Sequence, residues 1–154
     1  MTLSRRGRWM IRAGLVTGLA LNLSSCSGGP TPARSGVHVP VILKDFHVGV
    51  ANRPVQAGPV TFDIRNPGPS THEFLIVRTN FPPAGLPLGP DGLTVDEAAP
   101  GLQLVEEDPE LDIGASRALQ VDLSPGYYVL YCNLEGHYLG GMRTKLVVIR
   151  ASRA

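Results

Sequence analysis

Three side chains with metal-binding chemistry occur close together near the end of the sequence. Cys132, His137 and Met142 bring a thiol, an imidazole and a thioether into residues 131–142. Thiolate and thioether are soft ligands that favour Cu(I), and imidazole suits both oxidation states of copper. Gly140 and Gly141 can adopt positive φ, which would let the chain turn back and bring Met142 under a metal ion. The segment therefore indicates a copper site.

A second imidazole must come from another part of the chain. His72 is the best candidate, because it follows a Pro/Gly turn at 66–70 and opens the apolar stretch 72–77. A neighbouring strand would bring its end beside Cys132. Two histidines and one cysteine with a weak axial methionine form the ligand set of blue-copper electron-transfer sites. Each residue alone has an ordinary structural role, so the prediction depends on the combination; His38 and His47 are interpreted as strand-surface histidines.

The elements that would position these ligands are short strands. Alternating apolar residues and β-branched content predict six strands, and Pro/Gly turns separate most of them; the predicted strands are 38–48, 58–65, 72–79, 117–123, 126–132 and 143–150. No window has the pattern of a long capped helix. Many short strands joined by such turns are typical of an all-β sandwich or barrel.

Residues 80–116 do not follow this pattern. They contain eight of the 13 acidic residues and no Lys or Arg. We interpret them as a long, solvated acidic loop inserted between strands. The alternative is a docking surface that speeds encounter with a basic partner.

The N-terminus resembles a processing signal. Four arginines precede an apolar run that ends in Leu-Ser-Ser-Cys, and that run is too short to cross a membrane. The sequence predicts a lipoprotein signal peptide at 1–25, lipidation of Cys26, a flexible tether at 26–37 and a domain at 38–150. The protein would be exported and anchored to a membrane, facing the periplasm or the cell exterior. Export by the general or the twin-arginine route stays open, because Arg5 and Arg6 are adjacent.

The charge and the cysteine content restrict the classes of function that the sequence allows. The sequence has 14 basic and 13 acidic residues, and four of the basic ones precede Cys26, so the processed chain would carry 10 against 13, a net charge of −3. This balance is unlike that of nucleic-acid-binding proteins. If Cys26 is lipidated, Cys132 has no disulfide partner in an oxidising compartment, and metal ligation is one explanation for it.

The C-terminal segment resembles the cupredoxins, the family of plastocyanin, azurin and amicyanin. Four residues separate Cys132 from His137, as in azurin, and four separate His137 from Met142, as in plastocyanin. The approach Pro-Gly-Tyr-Tyr-Val-Leu-Tyr-Cys at 125–132 also resembles that of plastocyanin. The resemblance implies a Greek-key β-sandwich or barrel of the cupredoxin type, here with the acidic loop inserted. It further implies one type 1 copper ion bound by His72, Cys132, His137 and Met142.

The resemblance also assigns supporting roles and shows one departure. Tyr128 would be the tyrosine of the corner, and Tyr131 the aromatic residue flanking the copper thiolate. Glu73 stands where plastocyanin and azurin commonly have an Asn that tethers the ligand loop. A nearby ionised carboxylate should favour Cu(II).

The function expected from these features is one-electron transfer between Cu(I) and Cu(II), with the ring edge of His137 as the electron port. Expected partners are a cytochrome or membrane oxidoreductase, and the lipid would hold a monomer at the membrane. The alternative is a copper chaperone or storage protein that serves a copper acceptor. An enzyme is not expected, because the four histidines include no His-x-His pair for a second copper centre.

Overall fold

The computed structural model describes residues 36–51 and 54–151. The predicted signal peptide, most of the tether and Cys26 lie outside these residues. The described strands are β1 (Val37–Lys44), β2 (His47–Val50), β3 (Val55–Gln56), β4 (Gly58–Arg65), β5 (His72–Arg78), β6 (Gln103–Leu111), β7 (Ser116–Leu123), β8 (Gly126–Tyr131) and β9 (Arg143–Ile149). Within the same ranges the α-helix is α1 (His137–Gly140), and no described helix is long and apolar enough to cross a membrane.

The strands form two sheets. One has four strands in the order β2-β1-β4-β7, and the other has five in the order β3-β9-β8-β5-β6. Strand β1 pairs in parallel with β4, as β3 does with β9, while the other pairings are antiparallel. The all-β sandwich predicted from the sequence is confirmed.

The core lies between the sheets, and in β1 and β4 the residues that face it alternate with residues that face outward. In β1 the buried positions are Val39, Val41 and Leu43, and in β4 they are Val60, Phe62 and Ile64. Phe62 packs against Phe74 of β5 across the sandwich, with ring centroids 5.5 Å apart. This core gives the metal-ligand candidates a fixed support.

The second sheet is buried on both faces at its centre. Strands β5 and β8 also send Leu75, Val77, Val129 and Tyr131 outward, where a second apolar cluster covers them. Residues 80–102, called the strap below, cover this face of the sheet. The strap contributes Leu86 and Val95 to the second apolar cluster. Such two-sided burial explains the nearly continuous apolar sequences of β5 and β8.

The prediction of one solvated loop at 80–116 was wrong. Residues 103–111 form β6, an edge strand paired with β5, and the strap is packed on the sheet. The acidic side chains of β6 do not give the alternating apolar pattern by which a strand is recognised in the sequence. An edge strand pairs on one side only and can expose most of its residues, so it does not need that pattern. Asp108 of β6 is buried and pairs with Arg117 of β7, which links the edges of the two sheets.

The predicted strand 38–48 is also two strands. The chain turns at Asp45 and Phe46, and β1 and β2 pair as an antiparallel hairpin with Lys44 opposite His47. Phe46 has φ of 62°, a left-handed conformation that is uncommon for an aromatic residue. No glycine, proline or asparagine marked this turn in the sequence, so the pattern continued through it.

Candidate metal centre

Strands β5 and β8 bring the first two candidate ligands together. They are antiparallel neighbours with Leu75 opposite Tyr131, so the start of β5 lies beside the end of β8. His72 is the first residue of β5, and Cys132 follows directly after β8. Both side chains are fully buried. Sheet pairing thus joins residues sixty positions apart in the chain.

His137 completes a cluster of three donors. It begins α1, after Gly136 turns the chain with φ of 78°. Its Nδ1 lies 3.4 Å from His72 Nδ1 and 3.4 Å from Cys132 Sγ. One donor atom from each residue lies within 4.8 Å of the others, and among the described residues this is the group of His, Cys, Asp and Glu with metal-binding spacing.

The spacing suits one bound ion. Imidazole nitrogens bond metals such as zinc at about 2.0–2.1 Å, and a trigonal arrangement then separates two nitrogens by about 3.5 Å. The observed separation of 3.4 Å between the Nδ1 atoms of His72 and His137 is close to that value. Two imidazoles and one thiolate are donors that copper accepts readily. The residues therefore fit a single metal ion.

Met142 lies at the end of the same loop, beside His137. Its backbone carbonyl accepts the N–H of Cys132 at 3.1 Å, and its own N–H donates to the carbonyl of His137 at 3.1 Å. The side chain is buried, and it lines a small cavity of about 50 Å³ together with Asp45, Phe46 and His137. The Met142 side chain is thus placed beside His137, one of the three donors.

The two glycines before Met142 have different roles. Gly141 has φ of 119°, as expected for a residue that turns the chain back. Gly140 is the last residue of α1 and instead provides space, because a Cβ there would lie 2.5 Å from Cδ1 of Phe46. The β1–β2 turn therefore packs directly against the ligand loop, residues 132–142.

Burial controls the protonation of the buried donors. It raises the pKa of the Cys132 thiol, while the backbone N–H groups of Glu73 and Leu134 oppose that rise; the Glu73 N–H lies 3.3 Å from Sγ. Burial is the main cause that lowers the pKa of His72. The charge of His137 lowers this pKa further, whereas the charge of Asp45 raises it. A neutral His72 is the form that can donate a lone pair to a metal.

Asn133 is a positioning residue that the sequence analysis missed. Its amide oxygen accepts the N–H of Val95 at 2.7 Å, and its amide nitrogen donates to the Val95 carbonyl at 3.2 Å and to the Glu97 carboxylate at 2.7 Å. The N–H of Gly136 also donates to the carbonyl of Leu93 in the strap, at 3.2 Å. The signal available in the sequence was an Asn directly after the candidate cysteine ligand.

Tyr138 joins the ligand loop to the strap as well. Its hydroxyl donates to the carbonyl of Pro83 at 2.7 Å and accepts the N–H of Leu86 at 2.9 Å. The ring is buried edge-on against Tyr131, with centroids 5.9 Å apart. The strap therefore holds the ligand loop from outside the sandwich.

The backbone N–H of Glu73 donates to Cys132, and the Glu73 side chain lies in an acidic region. Burial is the main cause that raises the pKa of Glu73. The negative charges of three nearby glutamates raise it further, and these are Glu107, Glu110 and Glu97; a hydrogen bond from the backbone N–H of Asn133 lowers it. The Glu73 carboxylate thus contacts the ligand loop at the backbone N–H of Asn133. The effect of the Glu73 carboxylate on a bound metal stays a prediction.

The tyrosines and the remaining histidines occupy separate positions. Tyr128 donates its hydroxyl to the carbonyl of Ser124 at 2.7 Å, which closes the corner before β8. Tyr131 is fully buried next to Cys132, and its hydroxyl has no hydrogen-bond partner among the described residues. His38 is exposed and pairs with Asp63 at 2.9 Å, and His47 is exposed in β2, so neither joins the cluster.

Comparison with known proteins identifies the fold. No family model matches the sequence, and no curated protein does either. Solved structures match well: a reduced auracyanin from Roseiflexus castenholzii is 19% identical with a TM-score of 0.53, covering 75% of this chain and 98% of its own. Auracyanin A from Chloroflexus aurantiacus, a "blue" copper protein, is 23% identical with a TM-score of 0.52, covering 75% and 100%. Rusticyanin from Thiobacillus ferrooxidans is 19% identical with a TM-score of 0.52, covering 75% and 79%.

These structures are cupredoxins, and the sandwich of this chain has the cupredoxin fold. The fold expected from the resemblance in the sequence is therefore confirmed. Auracyanins and rusticyanin are among the solved structures that share it. At identities of 19–23% they establish the architecture of this chain.

Proposed function

We propose that this protein is a one-electron carrier in which His72, Cys132 and His137 would hold one copper ion, with the Met142 thioether as a weak fourth ligand. The observation that carries the proposal is the convergence of the three donor atoms within 4.8 Å of one another in a cupredoxin fold. A bound copper ion would supply reversible exchange of one electron between Cu(I) and Cu(II). The protein residues supply the soft thiolate, the two imidazoles and a fixed geometry.

The rigidity of the site supports electron transfer over copper delivery. His72 and Cys132 are buried within the sandwich, and the strap holds the ligand loop through Asn133 and Tyr138. Donors held in this way change position little between oxidation states, whereas a chaperone needs a site that opens to an acceptor. Copper delivery or storage is the second candidate, and metal-exchange measurements distinguish the two.

His137 provides the route for the electron. Its ring is partly exposed, whereas His72 and Cys132 are not. Beside it, Phe46 and Leu139 expose 68% and 45% of their surface, which gives an apolar surface around the histidine. A redox partner that covers this surface would bring its own centre close to the imidazole edge.

Export and tethering complete the proposal. Cys26 would carry the lipid, and the tether at 26–37 would keep the domain near the membrane, where a membrane-bound oxidoreductase or cytochrome is the electron partner. The lipid restricts the search for that partner to the surface. Metabolic labelling with a radioactive fatty acid tests this step: the wild type should be labelled and sediment with membranes, and Cys26→Ser should do neither.

Copper reconstitution tests the site. The purified full-length protein is titrated with Cu(II), and visible and electron paramagnetic resonance spectra are recorded. We expect an intense thiolate-to-copper charge-transfer band at one equivalent, absent from Cys132→Ser and retained in Cys26→Ser, the matched control on the other cysteine. A colourless protein whose copper is quickly removed by a chelator would contradict electron transfer and favour delivery.

A further inference from the structure

The turn between β1 and β2 places a carboxylate against the far side of His72. Asp45 Oδ1 lies 3.4 Å from His72 Nε2. The His72 side chain is fully buried, and that of Asp45 is 33% exposed. Each of these two atoms is buried and has no hydrogen-bond partner among the described residues. Within the described ranges, the polar contact recorded for each of these atoms is the one with the other.

The two nitrogens of His72 face in different directions. Nδ1 points to the donor cluster, 3.4 Å from His137 Nδ1, while Nε2 faces Asp45. A neutral imidazole carries one N–H and one lone pair, and the hydrogen bond made by one nitrogen decides the role of the other. A carboxylate can only accept, so Asp45 favours the hydrogen on Nε2. The lone pair is then on Nδ1, where the metal site needs it.

The carboxylate is held from a second loop. Ser70 Oγ donates to Asp45 Oδ2 at 3.3 Å. The backbone carbonyl of Ser70 accepts the side-chain amide of Asn66 at 2.8 Å, and Asn66 also donates to the carbonyl of Leu111 at 2.8 Å. Asn66 is fully buried. The network fixes Asp45 relative to the start of β5, the strand that carries His72.

We propose that Asp45 is a positioning residue for His72, accepting its Nε2–H and directing its Nδ1 to the metal. This inference rests on the proposed function, since it assigns a role toward the same site. The observed 3.4 Å is longer than an ordinary N–H···O bond of about 2.7–3.2 Å, and neither atom has a hydrogen-bond partner among the described residues, so the two groups must both approach and align for the bond to form. A carboxylate behind a ligating histidine raises the basicity of the ligand and fixes its orientation.

Histidine NMR of the metal-free protein tests the tautomer directly. Long-range ¹H–¹⁵N correlation spectra of the full-length protein should show His72 with its hydrogen on Nε2. Asp45→Ala should give a mixture of tautomers, and Asp45→Asn, which keeps one acceptor oxygen, should restore much of the wild-type state. Asp63→Ala is the matched control, because Asp63 also faces a histidine, exposed His38, at 2.9 Å and away from the cluster.

The copper-loaded protein gives the second readout. Loss of such a carboxylate typically weakens metal binding about 10–100-fold. We expect Asp45→Ala to lose at least about tenfold in Cu(II) affinity, and if Cu(I) affinity is unchanged, the reduction potential rises by about 59 mV. Asp63→Ala should leave both quantities unchanged.

The two readouts separate this inference from the proposed function. A wild-type His72 protonated on Nδ1, or an Asp45→Ala protein with the wild-type tautomer and affinity, would overturn the role of Asp45. A protein that forms no blue copper site yet has the expected tautomer shift would overturn the proposed function and leave the Asp45–His72 contact in place. If Asp45→Ala does not fold, the wild-type spectrum and Asp45→Asn decide the question.

Discussion

Two buried tyrosines whose rings meet edge to face should respond oppositely to loss of their hydroxyl groups. Tyr138 donates to Pro83 and accepts from Leu86, whereas the hydroxyl of Tyr131 has no partner among the described residues. Replacing each by Phe removes one oxygen and keeps the ring. The pair therefore isolates the contribution of the strap's hydrogen bonds to stability.

The expected magnitudes follow from the contacts. Tyr138→Phe loses two hydrogen bonds of about 1 kcal/mol each and leaves the N–H of buried Leu86 without its partner, so the free energy of unfolding should fall by about 2–3 kcal/mol. For a domain of this size that lowers Tm by about 8–12 °C. Tyr131→Phe removes a buried polar group that is not paired, so stability should stay unchanged or rise by up to about 1 kcal/mol.

The assay is urea unfolding of the metal-free, full-length protein, followed by circular dichroism. The midpoint should move while the slope with denaturant concentration stays constant, since the surface exposed on unfolding hardly changes. Hydrogen exchange at the amide of Leu86 should accelerate in Tyr138→Phe alone. Equal destabilisation by the two substitutions, or none by Tyr138→Phe, would refute the argument that the strap holds the ligand loop through this hydroxyl.

Three further predictions concern other contacts. Gly141→Ala should cost about 1–3 kcal/mol in thermal unfolding, because φ at Gly141 is 119° and the added Cβ would lie 2.8 Å from the backbone oxygen of Phe46. Gly140→Ala, whose Cβ would meet the exposed ring of Phe46, should cost clearly less, and equal losses would contradict this. Arg117→Met should cost about 3 kcal/mol in urea unfolding by leaving buried Asp108 uncompensated, and adding Asp108→Asn should reduce the loss; a double variant worse than the single one would contradict the pairing. Wild type should have a lower reduction potential than Glu73→Asn, because an ionised carboxylate near the site favours Cu(II), and voltammetry showing equal potentials would refute this.

Features encoded in short stretches of sequence were predictable. The nearly continuous apolar runs of β5 and β8 gave both strands, and the turn at 66–70 placed His72 at the start of its strand. The spacing of Cys132 and His137 within one loop gave two further members of the cluster. In each case a local pattern was enough, because the sheet then imposed the long-range contact.

Features that depend on long-range packing were not predictable from those patterns. Strand β6 has exposed acidic residues through most of its length, so no alternation marked it. The hairpin turn at Phe46 has an uncommon positive φ, and it packs against the ligand loop, which is distant in the sequence. Asn133 bonds to Val95 and Glu97, which lie 38 and 36 positions earlier in the chain. No local stretch of sequence contains all three residues.

The most direct measurement of the central claim is X-ray absorption at the copper edge of the reconstituted full-length protein. If His72, Cys132 and His137 bind one ion together, the inner coordination shell should contain two imidazole nitrogens and one sulfur. The sulfur should vanish in Cys132→Ser, and one nitrogen should vanish in His72→Ala. An inner shell of oxygen and nitrogen alone in the wild type would contradict the assignment of these residues as a shared copper site.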